Sequence, residues 1–116
     1  MNYFKSCHDM KGVYLDVDKS VKGVIGYEPI ELIGTSAYDY FYKDDLIRIV
    51  NSHINSSSEN QVVEYRIRSK GGKYIWVSTL TNKRDDKLFT ITKKLNIIQI
   101  LIIKYKIFKN EISKKI

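Results

Sequence analysis

Cysteine, proline and long apolar runs are all scarce in this chain. Of its 116 residues one is cysteine and one is proline. A single thiol, Cys7, rules out an internal disulfide and a cysteine metal cluster, and fits a reducing compartment, so a cytoplasmic location is expected. The N-terminus "MNYFKSCHDM" has no basic segment followed by an apolar one, as an export signal would require. The longest apolar run, "IIQILII" from Ile97 to Ile103, falls far short of the ~20 residues needed to span a bilayer, so no transmembrane segment is expected. A nucleophile–base signature, a metal-ligand set and a phosphate loop are missing too, which makes an enzyme the least supported function class.

A basic excess is present, but only at one end. The net charge is +7. Residues 1–86 carry 12 basic and 12 acidic side chains, whereas residues 87–116 carry eight lysines and one glutamate. The body is therefore neutral and shows no basic face for nucleic acid. Only the end of the chain could touch an acidic surface. The length suits one domain with a modest core.

The pattern along the chain predicts an α+β domain: an antiparallel sheet of about five strands, with short helices covering one face. "FKSCHDMKGVYLDVD" reads as a hairpin turning at Asp9–Gly12, with Val13, Leu15 and Val17 alternating against Tyr14, Asp16 and Asp18. Val21, Val24 and Ile25 share the face of a short helix that Gly26 stops. Pro29 opens a second helix, "PIELI", which Gly34 ends, and Ser36 caps a third turn, "AYDYFY". A longer helix is expected from about residue 44 to 55. Ile47, Val50 and Ile54 would line one side of it, and Asp44 and Asp45 would favour its positive end. After a polar loop at residues 55–60, "QVVEYRIRS" and "KYIWVSTLTNK" read as strands joined at Lys70-Gly71-Gly72, and "KLFTITKKL" as a fifth. Short capped helices can follow a curved surface that one straight helix cannot. Their aromatics would include a wall of a cavity between helices and sheet.

Two stretches, "HDMKGVYLDVDKSVKGVIGYEPIELIGTSAYDYFYKDDL" and "VVEYRIRSKGGKYIWVSTL", resemble in order and spacing the PAS family, in particular the S-box type of bacterial and archaeal sensor histidine kinases. The resemblance covers about residues 6–86. It implies a non-catalytic sensory or dimerisation module in two-component signalling. Such a module would sense a small-molecule ligand in the helix–sheet cavity or relay a signal. Its partner would be a second copy, another PAS protein or a kinase. The domain is placed at residues 3–95, followed by a basic Ile/Lys-rich tail at 96–116. That tail departs from the family pattern, with nine isoleucines and eight lysines in the last 30 residues. Either a frameshifted or truncated end, or a native fifth strand followed by a basic helix, would produce it.

Candidate site residues follow from the resemblance and from residue type. In haem-binding relatives a histidine on the longer helix ligates the iron. His53 is therefore the candidate haem ligand of an alternative gas or redox sensor, although no cofactor is the plainer expectation. Tyr38, Phe41, Tyr65 and Trp76 are candidate pocket or sheet-face residues. Tyr65 and Trp76, on adjacent strands, could stack on a planar ligand or simply fill the core. Arg66 and Arg68 read as a solvated sheet face, and Cys7 as a packed, inert thiol. His8-Asp9 reads as a strand end and turn. A third reading makes the basic tail a nucleic-acid or membrane-surface binder.

Overall fold

The computed structural model describes residues 2–54 and 60–114, with the side chains of residues 53, 54 and 114 outside the description. Five strands form one antiparallel sheet: β1 (Tyr3–Asp9), β2 (Tyr14–Val17), β3 (Gln61–Arg68), β4 (Tyr74–Arg84) and β5 (Lys87–Lys94), in the order β2-β1-β5-β4-β3. The helices α1 (Val21–Ile25), α2 (Pro29–Leu32) and α3 (Leu46–Ile54) follow β2, with 3₁₀ turns at Ala37–Tyr40 and Lys43–Asp45. A last helix, α4 (Ile97–Lys114), follows β5. The expected α+β plan is the one observed.

The punctuation works as its chemistry requires. Gly26 ends α1 with φ 88°, and Pro29 occupies the first turn of α2. The Ser36 hydroxyl accepts from the Tyr38 amide. Asp85 and Asp86 both take positive φ, 50° and 60°, in a two-residue turn that lets Arg84 pair with Lys87. Such a turn matches the twist of the flanking strands, and aspartate tolerates it. Asn96 and Gln99 cap α4 reciprocally, each side chain accepting from the other's backbone amide at 2.8–2.9 Å.

Three details differ from the sequence pattern. In β2 it is Tyr14 and Val17 that are buried, while Leu15 is exposed. The register of β1 on β2 shifts between Cys7 and His8, so strict alternation breaks at this edge strand. The longer helix begins as a 3₁₀ turn, and its inward residues are Asp45 and Ile49, not Ile47, which is 77% exposed. The expected polar loop at 55–60 lies outside the described residues except for Asn60, as does the Ile54 side chain.

Asp45 is the polar centre of the helix–sheet contact. It is 1% exposed. Its carboxylate accepts from the Arg66 backbone amide at 2.8 Å, from Arg66 Nε at 3.0 Å and from Arg66 Nη2 at 2.7 Å. Arg48 Nη2 adds a fourth contact at 2.9 Å. Asp45 keeps the helix-start position expected of it and is buried there, whereas the expectation of a solvated face for Arg66 is corrected. Tyr42 joins the clamp, its amide donating to the Arg66 carbonyl at 2.9 Å. The Arg66 guanidinium lies between two rings, 4.1 Å from the centre of Tyr42 and 4.7 Å from that of Trp76.

Trp76 faces away from the short helices. It packs with Leu95 and Ile103, and Ile100 lies against that group. One side of α4 thus covers part of the outer sheet face.

Burial alone would raise the Asp45 carboxyl, but the Arg66 hydrogen bonds and charge, with Arg48, outweigh it and hold it below its ordinary value. A depressed folded-state value stabilises the fold above the usual aspartate pKa, about 4, and that contribution is lost as pH falls further. Asp45→Asn is expected to lower stability near neutral pH by about 3 kcal/mol. In denaturant melts at several pH values, the gap from wild type should narrow below about pH 4. A second expectation concerns α4. Trp76 is the one tryptophan of the chain, so its emission reports helix docking. Ile103→Asp should shift that emission to the red while the sheet stays folded. An unchanged spectrum would mean α4 does not cover the ring.

Candidate functional site

The inner sheet face is unexpectedly rich in hydroxyls. Ser6 and His8 of β1, Thr79 and Thr81 of β4, and Thr90 and Thr92 of β5 are all buried. Valine would fit the same shape, and a buried hydroxyl is costly unless it finds a partner. Apart from Thr81, these groups are one another's partners, with Tyr65 joining them. The Tyr65 hydroxyl lies 2.7 Å from Thr79 Oγ1, which lies 2.9 Å from Thr92 Oγ1. Ser6 Oγ lies 2.5 Å from Thr90 Oγ1 and 2.8 Å from His8 Nε2. His8 Nδ1 reaches the Gly12 carbonyl at 3.3 Å. A carbonyl only accepts, so Nδ1 is the donor in this contact.

These groups form the floor of a cavity of ≈ 30 Å³ under the short helices. Its opposite wall is Ala37, Tyr38, Phe41 and Ile49. The Phe41 ring meets the Tyr65 ring edge-on at 4.9 Å and the Tyr38 ring at 5.5 Å. Tyr38 rests on Gly12, where an added Cβ would come within 2.7 Å of its ring, and Gly12 has φ +89°. A glycine is therefore needed there twice over, for the turn and for the ring.

The lining contains no Asp, Glu, Lys or Arg. Burial pushes the Tyr65 hydroxyl above its ordinary value, against the opposing effect of the Thr79 and Thr92 hydrogen bonds. Tyr14 is pushed up further, by burial and then by the neighbouring tyrosines 65, 40 and 27. The phenols stay neutral, so the cavity offers donors and acceptors without a fixed carboxylate or ammonium. That chemistry suits a small uncharged molecule with hydroxyls on one side and carbon on the other.

The structure brings Tyr38, Phe41 and Tyr65 together around this cavity and places Trp76 elsewhere. Tyr65 pairs with Val77 and Trp76 with Arg66, so the two rings lie on opposite faces and cannot stack on one ligand. His53 lies on α3, with its side chain outside the description. A pocket for a drug-sized ligand has roughly 300–1,000 Å³, so the ≈ 30 Å³ space does not fit a haem. Among the described residues no cluster of histidine, cysteine, aspartate and glutamate could hold a metal ion. Cys7 is half-buried on the outer face. Sequence reasoning missed His8 and the threonines. The alternation of Leu88, Thr90 and Thr92 was the available signal, although a face of threonines does not announce itself as buried.

Comparisons with known proteins agree with this geometry. A family model described as "PAS fold" matches residues 14–88. The Drosophila melanogaster protein "Circadian locomoter output cycles protein kaput" is 40% identical over 80 residues, covering 67% of this chain. The human protein of that name is 35% identical over 78 residues, covering 66%. The chain spans only 8% and 9% of the lengths of these two relatives.

Among solved structures, a tryptophan-to-alanine variant of Drosophila melanogaster Cycle PAS-B with bound glycerol has TM-score 0.74 and 28% identity, covering 79% of this chain and 99% of that one. Wild-type Cycle PAS-B with bound ethylene glycol has TM-score 0.67 and 30% identity, covering 79% and 97%. The PAS domain of an HTR-like protein from Haloarcula marismortui has TM-score 0.70 but 16% identity, covering 80% and 81%, a likeness of fold alone. The relatives that share sequence here are animal circadian proteins, where the sequence reading had expected prokaryotic kinases. On the match of residues 14–88, the chain belongs to the PAS fold family.

Proposed function

We propose that this domain is a sensory and dimerisation module that takes a small, neutral, hydroxyl-bearing ligand onto the threonine floor and relays occupancy to a partner protein. The observation that carries the reading is the paired strings of buried hydroxyls, Tyr65–Thr79–Thr92 and His8–Ser6–Thr90, facing an aromatic wall across ≈ 30 Å³. Each hydroxyl can donate or accept, so the floor can exchange a partner within the string for one on a guest. Glycerol and ethylene glycol in the two Cycle PAS-B structures support the same class of guest. One water needs roughly 10–15 Å³ of such space, so a diol enters only if the wall yields. Tyr38, half-buried at the edge of the wall, is the side chain placed to yield.

The relay would leave through the same wall. Phe41 and Tyr42 are consecutive, and Tyr42 holds Arg66. A guest that displaces Phe41 biases the clamp on β3 and, through Arg66, the environment of Trp76. The receiving partner is a second PAS domain or a downstream output protein such as a kinase.

Ethylene glycol titrated into labelled protein, followed by amide shifts, tests the reading. Saturable shifts are expected at Ser6, His8, Thr79, Thr90 and Thr92. Thr90→Val should weaken binding by about 1 kcal/mol, roughly fivefold. Shifts that do not saturate, or that ignore Thr90→Val, would count against a cavity ligand.

A further inference from the structure

The helix α4 has two apolar faces, and the body uses only one. Ile100 and Ile103 turn toward Trp76 and Leu95. On the opposite side, Ile98, Leu101, Tyr105, Phe108 and Ile112 are 43% to 66% exposed. Their spacing is 3, 4, 3, 4 residues, the repeat of a coiled-coil seam in which Ile98, Tyr105 and Ile112 take one core position and Leu101 and Phe108 the other. A helix anchored on one side and seamed on the other is built to receive a second helix.

We propose that this seam pairs with the same seam of a second copy, in antiparallel orientation. The charges beside the seam select both the partner and its direction. Lys104 and Glu111 flank the seam on one edge and Lys109 on the other. In a parallel pair Lys104 would face Lys109 of the second copy, a like-charge contact on both sides of the dimer. In an antiparallel pair Lys104 faces Glu111 of the second copy, and the two-fold axis repeats the contact. In the same register Leu101 lies against Ile112 of the second copy and Tyr105 against Phe108, while Ile98 lies beyond the paired layers. The two-fold relation makes the interface closed, so pairing stops at two.

The inference deepens the dimerisation half of the proposed function and rests on that reading for its role. It does not involve the cavity, so the two can fail separately. The paired seam from Leu101 to Ile112 is only about 17 Å long, which makes the expected dimer weak, on the order of micromolar.

Sedimentation of the full chain across a wide concentration range tests it. A reversible monomer–dimer equilibrium is expected, abolished by the double variant Leu101→Asn/Phe108→Asn with Trp76 emission and ethylene glycol shifts unchanged. Lys104→Glu alone and Glu111→Lys alone should each weaken the dimer about tenfold, and the two together should restore it. A chain that stays monomeric throughout overturns the proposal. So does a dimer indifferent to the Leu101/Phe108 variant, and so does one that tightens with Lys104→Glu alone, which would mean parallel helices. A chain that is monomeric in solution but binds phosphatidylserine-containing vesicles through the same residues would overturn it in favour of a lipid surface.

Discussion

A carboxylate taken out of water must be paired or neutralised, and Asp45 is paired almost entirely by one residue. Arg66 supplies its backbone amide and two N–H donors along one edge of its guanidinium, which fixes the carboxylate in angle as well as in distance. The cation is then shared. Its faces lie against Tyr42 on the side of the short helices and Trp76 on the outer side of the sheet. The start of α3, the third strand and the docking site of α4 are therefore held by a single side chain. An arginine suits this place where a lysine would not, because only a planar cation can fork onto a carboxylate and stack between rings. The two surface pairs, Lys22 with Glu28 and Lys70 with Glu31, contribute far less, since water screens them.

The cavity sits immediately beside this clamp. Its floor is built from central strands β1, β4 and β5, which the ladder holds rigidly. Its roof is a run of short turns tied to the sheet at its two ends, by the Ala37 amide on the Gly12 carbonyl and the Tyr42 amide on the Arg66 carbonyl. The roof ends in Tyr42 and Asp45, so its displacement is felt first at Arg66. Under the proposed function, occupancy of the cavity would reach the outer sheet face through this one cation, where α4 rests on Trp76.

Much of the fold was legible because its determinants are local. Gly26, Pro29, Gly34 and Ser36 stop, start and cap helices by backbone chemistry that needs no tertiary partner. The β3–β4 hairpin announced itself by β-branched and aromatic residues around a glycine turn. What failed depended on contacts distant in sequence. The inward face of α3 is set by Asp45 reaching an arginine 21 residues on, and a hydrophobic pattern has no way to favour a carboxylate as the buried residue. The face of Trp76, which the pattern left open between pocket and sheet face, follows from its pairing opposite Arg66, a matter of register, not composition. The polar floor was the least visible feature of all. Threonine alternating with threonine reads as a weak strand until its neighbours are seen to supply the missing hydrogen bonds.

The central claim is that Arg66 couples the helix layer to the outer sheet face. A double-mutant cycle between Asp45→Asn and Trp76→Phe measures this directly, because the Arg66 guanidinium touches both. The account predicts a coupling energy of about 1 kcal/mol in denaturant melts, vanishing when the cycle is repeated with Arg66→Met. Additive effects within about 0.3 kcal/mol in the wild-type background would contradict it.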